Sequence, residues 1–415
     1  MQYFIFIFYL VFFFFVFRTY QVQKDTGFSL NVIYGIFLLK VLAGVMNLYY
    51  HNNASLVNDS YIYYWQSIGE LNHAHLNPGA FLREWLFNWG SPNGRYNLLN
   101  KDNMVFFNHL GTLFLMKFMT LSNLLSGGYQ YVNVIFYNLL SFIGLIGIYK
   151  TLYAIQSEKK WVFFLLTFFM PTILFWCSGI NKDGLMVFSI GYLIRVTYLY
   201  LHGAERRYLI AIVVGCVLAF VMRYFYFLCL FPPYLLWVFS YKKRNTLPLF
   251  LIVYGVILLL FFNLKSITSH ADPMQMIAKR RVEFIKLNGA SDMRMPALEN
   301  SFSGYIKNIP NAISHLFFEP RLFSNKSIKF KIAAFLNYVE LGIILFFAFQ
   351  FKARNWQNSL FLCLLFFAVS AYLFIGFTIP NHGAIARYKS GFSVLLYGAL
   401  ACLSEYKWLL KRLPK

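Results

Sequence analysis

Long apolar runs that alternate with short clusters of lysine and arginine are the dominant pattern along this chain. A helix needs roughly 20 apolar residues to cross the hydrocarbon core of a bilayer, and only helices and closed barrels satisfy their backbone hydrogen bonds there. The runs are continuous and do not alternate between apolar and polar residues, which excludes a transmembrane barrel. The pattern therefore predicts an all-α, polytopic transmembrane helical bundle that forms a single integral membrane domain over residues 1–415.

Eleven of these runs are interpreted as membrane spans. They cover residues 3–17, 29–50, 129–149, 161–178, 184–202, 208–222, 224–241, 247–263, 331–351, 357–379 and 389–405. A twelfth run, 105–121, contains Asn108, His109 and Lys117 and is therefore amphipathic. We interpret it as an interfacial or re-entrant helix, because a full crossing would place the basic loops before and after it on opposite sides.

The short basic loops predict the orientation, since lysine and arginine mark the cytoplasmic side of a membrane protein. With eleven spans these loops share one side, so the N-terminus is expected outside and the C-terminus inside. Two large loops, 51–104 and 264–330, then lie outside. The first contains two apolar-aromatic patches, Tyr61–Ile68 and Phe81–Trp89, which we interpret as external interfacial helices. The second is strongly basic, which favours an anionic ligand.

The formal net charge of +22 raises the question of a nucleic-acid partner. The basic residues mostly sit at the ends of apolar runs, where they set topology and contact anionic lipid head groups. Membrane lipids, and no nucleic acid, are therefore the predicted partners. The five cysteines lie mostly inside apolar runs at no metal-binding spacing, which supports neither a disulfide framework nor a metal site.

Asp59 is the candidate catalytic residue among only 15 acidic residues. It follows closely on the 29–50 span, at the level expected for lipid head groups. A carboxylate at that depth is partly desolvated and within reach of a lipid-linked substrate, which suits it to act as a general base. An aspartate in an ordinary loop turn is the alternative interpretation.

The segment Trp176–Gly184 joins two predicted spans on the outside and carries a candidate anion site. Asn181 can cap the following helix, so Lys182 falls in the first helical turn. The helix dipole disfavours a cation there unless an anion such as phosphate is bound. Asp183 belongs to the same candidate site, and pairing of Lys182 with Asp183, or with lipid, is the alternative.

Two arginines occupy positions that favour phosphate binding, because guanidinium groups bind phosphate in a bidentate manner. Arg223 lies in the middle of the 208–241 stretch, which is too short for two full spans, so its bend is expected below the membrane surface. Arg387 precedes the last span, in the predicted external turn Pro380–Lys389. A structural ion pair is the alternative for each. His382, in the same turn, is also a candidate, against the alternative of a hydrogen-bonded loop histidine.

Two further charged residues, Arg195 and Glu340, lie inside predicted spans. Structural pairing or the lining of a cavity is expected for both. A proton relay would need more acidic residues in the spans than this chain has, and no internal repeat is visible, which argues against a transporter.

Four ordered motifs together span most of the chain. They are Asp59-Ser60-Tyr61-Ile62-Tyr63, Pro171-x-x-x-Phe175-Trp176-x-Ser178-Gly179-x-x-Lys182-Asp183, Phe317-Phe318-Glu319-Pro320-Arg321, and Asn381-x-Gly383-x-x-x-Arg387-Tyr388-Lys389. As an ordered set they resemble a family of bacterial membrane proteins, common in the Bacteroidetes, that is related to GT-C-type glycosyltransferases and oligosaccharide polymerases.

The resemblance implies a GT-C-like fold and an enzyme that transfers a sugar from a polyprenyl-phosphate-linked donor to a glycan or lipid-linked acceptor. It places this multi-pass enzyme of polysaccharide and cell-envelope biosynthesis in the bacterial inner membrane, acting on the extracytoplasmic face. An acidic residue of the first large external loop acts in such enzymes as general base or orients the acceptor, a role that falls here to Asp59. The resemblance assigns a role to Asp59 alone; the residues that we predict to contact substrate and phosphate are Lys182, Asp183, Arg223, Arg321, His382 and Arg387.

This chain departs from the family pattern at its acidic motif. The usual acidic pair is replaced by Asn58-Asp59, with one carboxylate, and an additional span precedes the catalytic loop. No Asp-x-Asp motif is present, which argues against a divalent metal, and no other cofactor is implied. An O-antigen or polysaccharide polymerase, a flippase or transporter of lipid-linked oligosaccharide, and a structural membrane subunit are the alternative functions.

Overall fold

Helices make up all the regular secondary structure in the part of the chain that this computed structural model describes. The described residues are 1–52, 59–87, 103–203, 205–243, 245–268, 272–286, 291–323, 327–352 and 358–406. No β-strand occurs among them. The predicted all-α class is confirmed.

Seventeen α-helices follow one another within these residues. They are α1 (Gln2–Thr19), α2 (Leu30–Asn52), α3 (Asp59–Leu76), α4 (Pro78–Phe87), α5 (Asn103–Ser126), α6 (Gln130–Ile155), α7 (Lys160–Phe168), α8 (Pro171–Trp176), α9 (Lys182–Leu201), α10 (Arg207–Met222), α11 (Tyr224–Ser240), α12 (Leu247–Ile267), α13 (Pro273–Ile285), α14 (Phe302–Phe317), α15 (Ile328–Phe349), α16 (Ser359–Thr378) and α17 (His382–Leu403).

Seven of the helices within the described ranges are long and apolar enough to cross a membrane: α1, α2, α6, α9, α12, α15 and α16. This set fits a multi-pass membrane protein. The two shorter apolar helices, α10 and α11, flank Arg223. The extended backbone of Arg223, with φ −158° and ψ 90°, separates them, so the predicted bend at this residue is confirmed.

The predicted span 161–178 is wrong as a single helix, because the chain forms α7 and α8 there. Pro171 is the first residue of α8. Proline has no backbone N–H to donate and disfavours the helical conformation in the residue before it. Met170 accordingly has extended dihedral angles, with φ −65° and ψ 120°.

The predicted turn Pro380–Lys389 is also largely helical, since α17 begins at His382. The side chain of Asn381 accepts a hydrogen bond from the backbone N–H of Ala384 at 2.9 Å and so caps the helix. Asparagine is among the preferred residues at this position, and the apolar run alone did not reveal the earlier start. Arg387 therefore lies on the second turn of a helix.

The described residues form two compact units, which are treated separately. Unit 1 comprises Met1–Lys160 and Thr167–Leu228, and unit 2 comprises Trp161–Leu166 and Cys229–Lys415. We predicted a single integral membrane domain. How the two units assemble in a bilayer decides this point, so the single domain stays a prediction.

Glycines bring α6 and α9 into backbone contact at the centre of unit 1. A Cβ on Gly191 would overlap the carbonyl oxygen of Gly144, and a Cβ on Gly147 would lie 2.9 Å from the carbonyl oxygen of Gly191. Helices in membranes associate through such small residues, because there is little hydrophobic driving force between them in lipid. This contact fixes the direction of α9 and therefore the position of its first turn.

The glycine contact predicts a large effect of Gly191→Ala on stability. The added methyl group meets backbone rather than a movable side chain, so the helices must separate, at a cost of roughly 1–3 kcal/mol. Thermal unfolding of the purified protein in detergent measures the loss. Gly35→Ala is the matched control, because no atom lies within 4 Å of its added Cβ; equal melting temperatures for the two variants would contradict the packing described.

Helix α5 lies across the end of unit 1 at which α6 and α9 begin. Thr112 accepts a hydrogen bond from Lys182 Nζ, in the first turn of α9, at 2.7 Å. Near the other end of α5, the carbonyl oxygen of Leu125 accepts a hydrogen bond from Tyr9 Oη at 2.8 Å, and a short turn then leads into α6. The placement of α5 at the membrane interface stays a prediction.

The opposite end of unit 1 carries the predicted pairing of Arg195. Its guanidinium lies 3.9 Å from Asp25 Oδ2. The structural interpretation of Arg195 is therefore confirmed.

In unit 2, the middle of the 264–330 segment is joined to the turn between α16 and α17. The backbone N–H of Met293 donates to the carbonyl oxygen of Pro380 at 2.8 Å, and that of His382 donates to the carbonyl oxygen of Ser291 at 3.0 Å. The basic segment and the start of α17 therefore share one end of this unit, as the topology predicts.

A buried ion pair holds four helices of unit 2 together. Lys389 Nζ, on α17, lies 2.7 Å from Glu340 Oε2 on α15, and each side chain is only 3% exposed. Lys389 also donates to the carbonyl oxygen of Leu316 on α14 at 2.6 Å and to Asn337 Oδ1 at 3.1 Å. Tyr372, on α16, donates to the other oxygen of Glu340. The predicted structural pairing of Glu340 is confirmed.

Candidate functional site

The segment that connects α8 to α9 is held by side chains from several helices of unit 1. Six of the seven carbonyl groups from Phe175 to Asn181 accept side-chain hydrogen bonds. The donors are Asn47 to Phe175, Asn181 to Trp176, Lys40 and Ser141 to Cys177, Asn138 to Ser178, Ser60 to Ile180, and Tyr137 to Asn181. Buried backbone without regular structure needs such partners. We call residues 175–181, which comprise the last two residues of α8 and the connection to α9, the clamped loop.

Lys40 is the most unusual of these donors because it is a buried cation within α2. Its side chain is 1% exposed, and Nζ donates to the carbonyl oxygen of Cys177 at 2.7 Å and to Ser178 Oγ at 2.9 Å. Within the described ranges no carboxylate lies within ion-pair distance of it. A lysine within an apolar span is a functional candidate by default, and that signal, present in the 29–50 run, was overlooked.

The clamped loop ends in the helix cap that the sequence predicts. Asn181 Oδ1 accepts hydrogen bonds from the backbone N–H groups of Asp183, at 2.9 Å, and Gly184, at 3.4 Å. Lys182 is thereby fixed as the first residue of α9, with its ammonium group on Thr112. The cation sits at the positive end of a helix dipole, where an anion would relieve the mismatch.

Arg223 joins this end of unit 1 through Asp183. Its guanidinium donates to Asp183 Oδ1 at 2.8 Å, and the two side chains are 14% and 4% exposed. A structural ion pair was the alternative interpretation of Arg223, and Asp183 is the partner in that pair. A Cβ on Gly111 would overlap the carbonyl oxygen of Met222, so α5 abuts the break before Arg223. The break, α5 and the start of α9 therefore meet.

His109 is a further member of this cluster that sequence reasoning treated only as a sign of amphipathicity. It lies one helical turn before Thr112 on α5. Burial lowers the pKa of His109 below its usual 6.5, and the charge of nearby Lys182 lowers it further. The lowered pKa favours the neutral imidazole at neutral pH, in which one ring nitrogen can accept a hydrogen bond or a proton and the other donates a hydrogen bond.

Asp59 begins α3, and the start of this helix lies beside the clamped loop. Ser60 Oγ donates to the carbonyl oxygen of Ile180 at 2.8 Å, two residues before Lys182. The Asp59 side chain itself lies outside the described atoms, as do residues 53–58 and 88–102 of the predicted loop 51–104, with Trp89 among them. The structure thus brings the main chain of Asp59 to the same end of unit 1 as Lys182 and Arg223.

The remaining candidates belong to unit 2. His382 is buried in the first turn of α17. Arg387, one turn later, is half-buried; it donates to Tyr388 Oη at 3.3 Å, and its guanidinium lies 5.0 Å from the centre of that ring. Arg321 is exposed after α14. The assignment of Arg387 to the same substrate as Asp59, Lys182 and Arg223 stays a prediction.

Lys40→Met is expected to loosen the clamped loop. A hydrogen bond to a charged group contributes roughly 1.5–3 kcal/mol, so opening of the loop should become about tenfold or more frequent. Cys177, which is fully buried, should then react faster with a maleimide, as followed by mass spectrometry of its peptide. Lys150→Met, toward the far end of α6, is the control; equal labelling of Cys177 in both variants would refute this role of Lys40.

No protein-family model, curated protein or solved structure matches this chain. The resemblance to GT-C-type glycosyltransferases rests on the sequence motifs and stays a prediction.

Proposed function

We propose that this chain is an inner-membrane glycosyltransferase that transfers a sugar from a polyprenyl-phosphate-linked donor to a glycan or lipid-linked acceptor. Its N-terminus lies outside and its C-terminus inside, so the first turn of α9 faces the extracytoplasmic side. One observation carries the proposal: Lys182 and the Asp183–Arg223 pair are fixed at the start of α9, beside the start of α3 at Asp59.

The charges of this cluster fit a phosphate group. Lys182 and Arg223 place two cationic hydrogen-bond donors at the start of α9, and Asp183 holds the guanidinium of Arg223. Helix N-termini attract phosphate through their backbone N–H groups and dipole, and charge-assisted hydrogen bonds to phosphate are among the strongest in proteins. The clamped loop anchors the start of α9 and so keeps these hydrogen-bond donors in place before the lipid-linked sugar binds.

In the proposed reaction, Asp59 takes the proton from an acceptor hydroxyl as the acceptor oxygen attacks the anomeric carbon of the donor sugar. A bond forms between that oxygen and the anomeric carbon. The bond from the anomeric carbon to the phosphate oxygen breaks, and its electron pair stays on the phosphate. Lys182 and Arg223 stabilise the charge that develops on this leaving group. Polyprenyl phosphate and the glycosylated acceptor are the products.

The same chemistry serves a polysaccharide polymerase, in which the donor carries an oligosaccharide repeat. A flippase or transporter of lipid-linked oligosaccharide would move its substrate without forming a bond. The two classes differ in their products, and one assay therefore separates them.

The test uses the purified protein reconstituted in liposomes with lipid-linked sugars and acceptor glycan extracted from the source cells. We expect sugar to appear on the acceptor together with free polyprenyl phosphate. Lipid-linked sugar that crosses the bilayer with its glycosidic bond intact, without a glycosylated product, would refute the proposal.

A further inference from the structure

Helix α14 lies across unit 2 rather than along its long helices. At its start, the ring of Phe302 lies 4.8 Å from the ring of Phe262 on α12, measured between ring centres. In its second half, a Cβ on Gly376 of α16 would lie 2.8 Å from the carbonyl oxygen of Ala312. One helix therefore runs from α12 to α16.

The end of α14 reaches α17, where Lys389 Nζ donates to the carbonyl oxygen of Leu316. Each of the three points of contact lies within about 10 Å of the nearest end of its long helix. At a rise of about 1.5 Å per residue, Phe262 is about 8 Å from the end of α12, Gly376 about 3 Å from the end of α16, and Lys389 about 10 Å from the start of α17. Helix α14 is thus held slightly below the ends of the helices that it crosses.

The two faces of α14 differ sharply. Its inner face is buried against α16 and neighbouring segments through Tyr305 and Ala312. Its outer face is apolar yet exposed: Phe302 is 60% exposed, Ile306 46% and Ile313 41%. Large apolar side chains arranged along one exposed face mark an interaction surface. We call these three residues the α14 stripe.

The α14 stripe continues the exposed apolar surface of α12. Almost all of α12, a candidate membrane span, is unburied within unit 2, and Leu258 and Leu259 are among its exposed residues. The contact between Phe262 and Phe302 joins the two surfaces. The surroundings that cover the exposed side of α12 therefore also contact the start of α14.

We propose that α14 is an interfacial helix whose stripe is buried at the boundary between lipid head groups and acyl chains. An amphipathic helix of this kind lies in the plane of the membrane with its apolar face roughly 5–10 Å deep, and the contacts place α14 within about 10 Å of the ends of the long helices that it crosses. Lys307, exposed beside the stripe, extends to the head groups as lysines at interfaces do. The basic segment 264–330 is thereby anchored at head-group level.

The test is a depth measurement on the full chain in liposomes. Single cysteines at Ile306, Ile313, Leu258 and Glu205 are introduced on a Cys216→Ser, Cys229→Ser background and labelled with an environment-sensitive fluorophore. Quenching is compared between phospholipids brominated near the glycerol end and near the tail end of the acyl chains. Glu205, which is largely exposed, reports a position in water.

We expect blue-shifted emission at Ile306 and Ile313, with a larger loss of fluorescence for bromines near the glycerol end, and the reverse preference at Leu258. Water-like emission at Ile306 and Ile313, equal to that at Glu205, would overturn the proposal. So would the absence of lipid quenching together with energy transfer between labelled copies, which would show that a second copy of the chain covers the stripe. Two positions on the stripe keep the test valid if one label disturbs folding.

Discussion

Asp59→Asn is expected to reduce sugar transfer by about 10²–10⁴-fold, the contribution that a positioned general base makes to a reaction. Asparagine has nearly the same shape as aspartate but cannot take up the acceptor proton. Ser60, next in the chain, retains its bond to Ile180, so the start of α3 should remain beside the clamped loop. Transfer from the lipid-linked donor is the measurement, at protein levels equal to those of the wild type.

Asp25→Asn is the control for this prediction. Asp25 lies at the opposite end of unit 1, where its carboxylate is within 3.9 Å of Arg195 and is mostly exposed. Its replacement should leave transfer close to the wild-type rate. Full activity of the Asp59→Asn variant would show that Asp59 is not the general base. Phosphate binding at Lys182 is tested separately.

Lys389→Met is expected to be the most destabilising single substitution in unit 2. It leaves the Glu340 carboxylate buried without its cation, and breaking a buried pair in this way costs roughly 3–5 kcal/mol. It also removes the donor to Leu316 and Asn337. The midpoint of thermal unfolding in detergent measures the loss.

Two comparisons isolate the effect of burial on this pair. Arg280→Met breaks an ion pair of similar length, 2.6 Å, whose Glu283 partner is half exposed, and such pairs contribute only about 0–1 kcal/mol. The double variant Lys389→Met with Glu340→Leu removes both charges, so it should recover part of the lost stability. A double variant less stable than the Lys389 single variant, or equal losses for Lys389 and Arg280, would contradict this account.

Local rules predicted much of the helical architecture from the sequence. Apolar runs revealed most of the long helices, and a charged residue in the middle of an apolar stretch revealed the break at Arg223. The cap at Asn181 followed from the residue type and its position. Where these rules compete, the prediction fails: the 161–178 run continues across Pro171, but the backbone cannot remain helical there.

The candidate site was only partly predictable, because its contacts join residues far apart in the sequence. Lys182 and Asp183 could be identified from the helix start. The partner of Arg223 and the role of Thr112 depend on how α5, α9 and α10 pack. Most donors to the clamped loop are single polar residues within apolar helices, such as Asn138 and Ser141. A polar residue in an apolar run signals a buried partner without showing which one it is.

The most direct test of the central claim, that the first turn of α9 holds the phosphate of a lipid-linked substrate, is the binding of polyprenyl phosphate to the purified protein. Lys182→Met should weaken this binding by roughly tenfold or more, since one charge-assisted hydrogen bond contributes about 1.5–3 kcal/mol. Arg206→Met, which also removes one surface charge from unit 1, should bind as the wild type does. Equal affinity of the Lys182 variant and the wild type would contradict the claim.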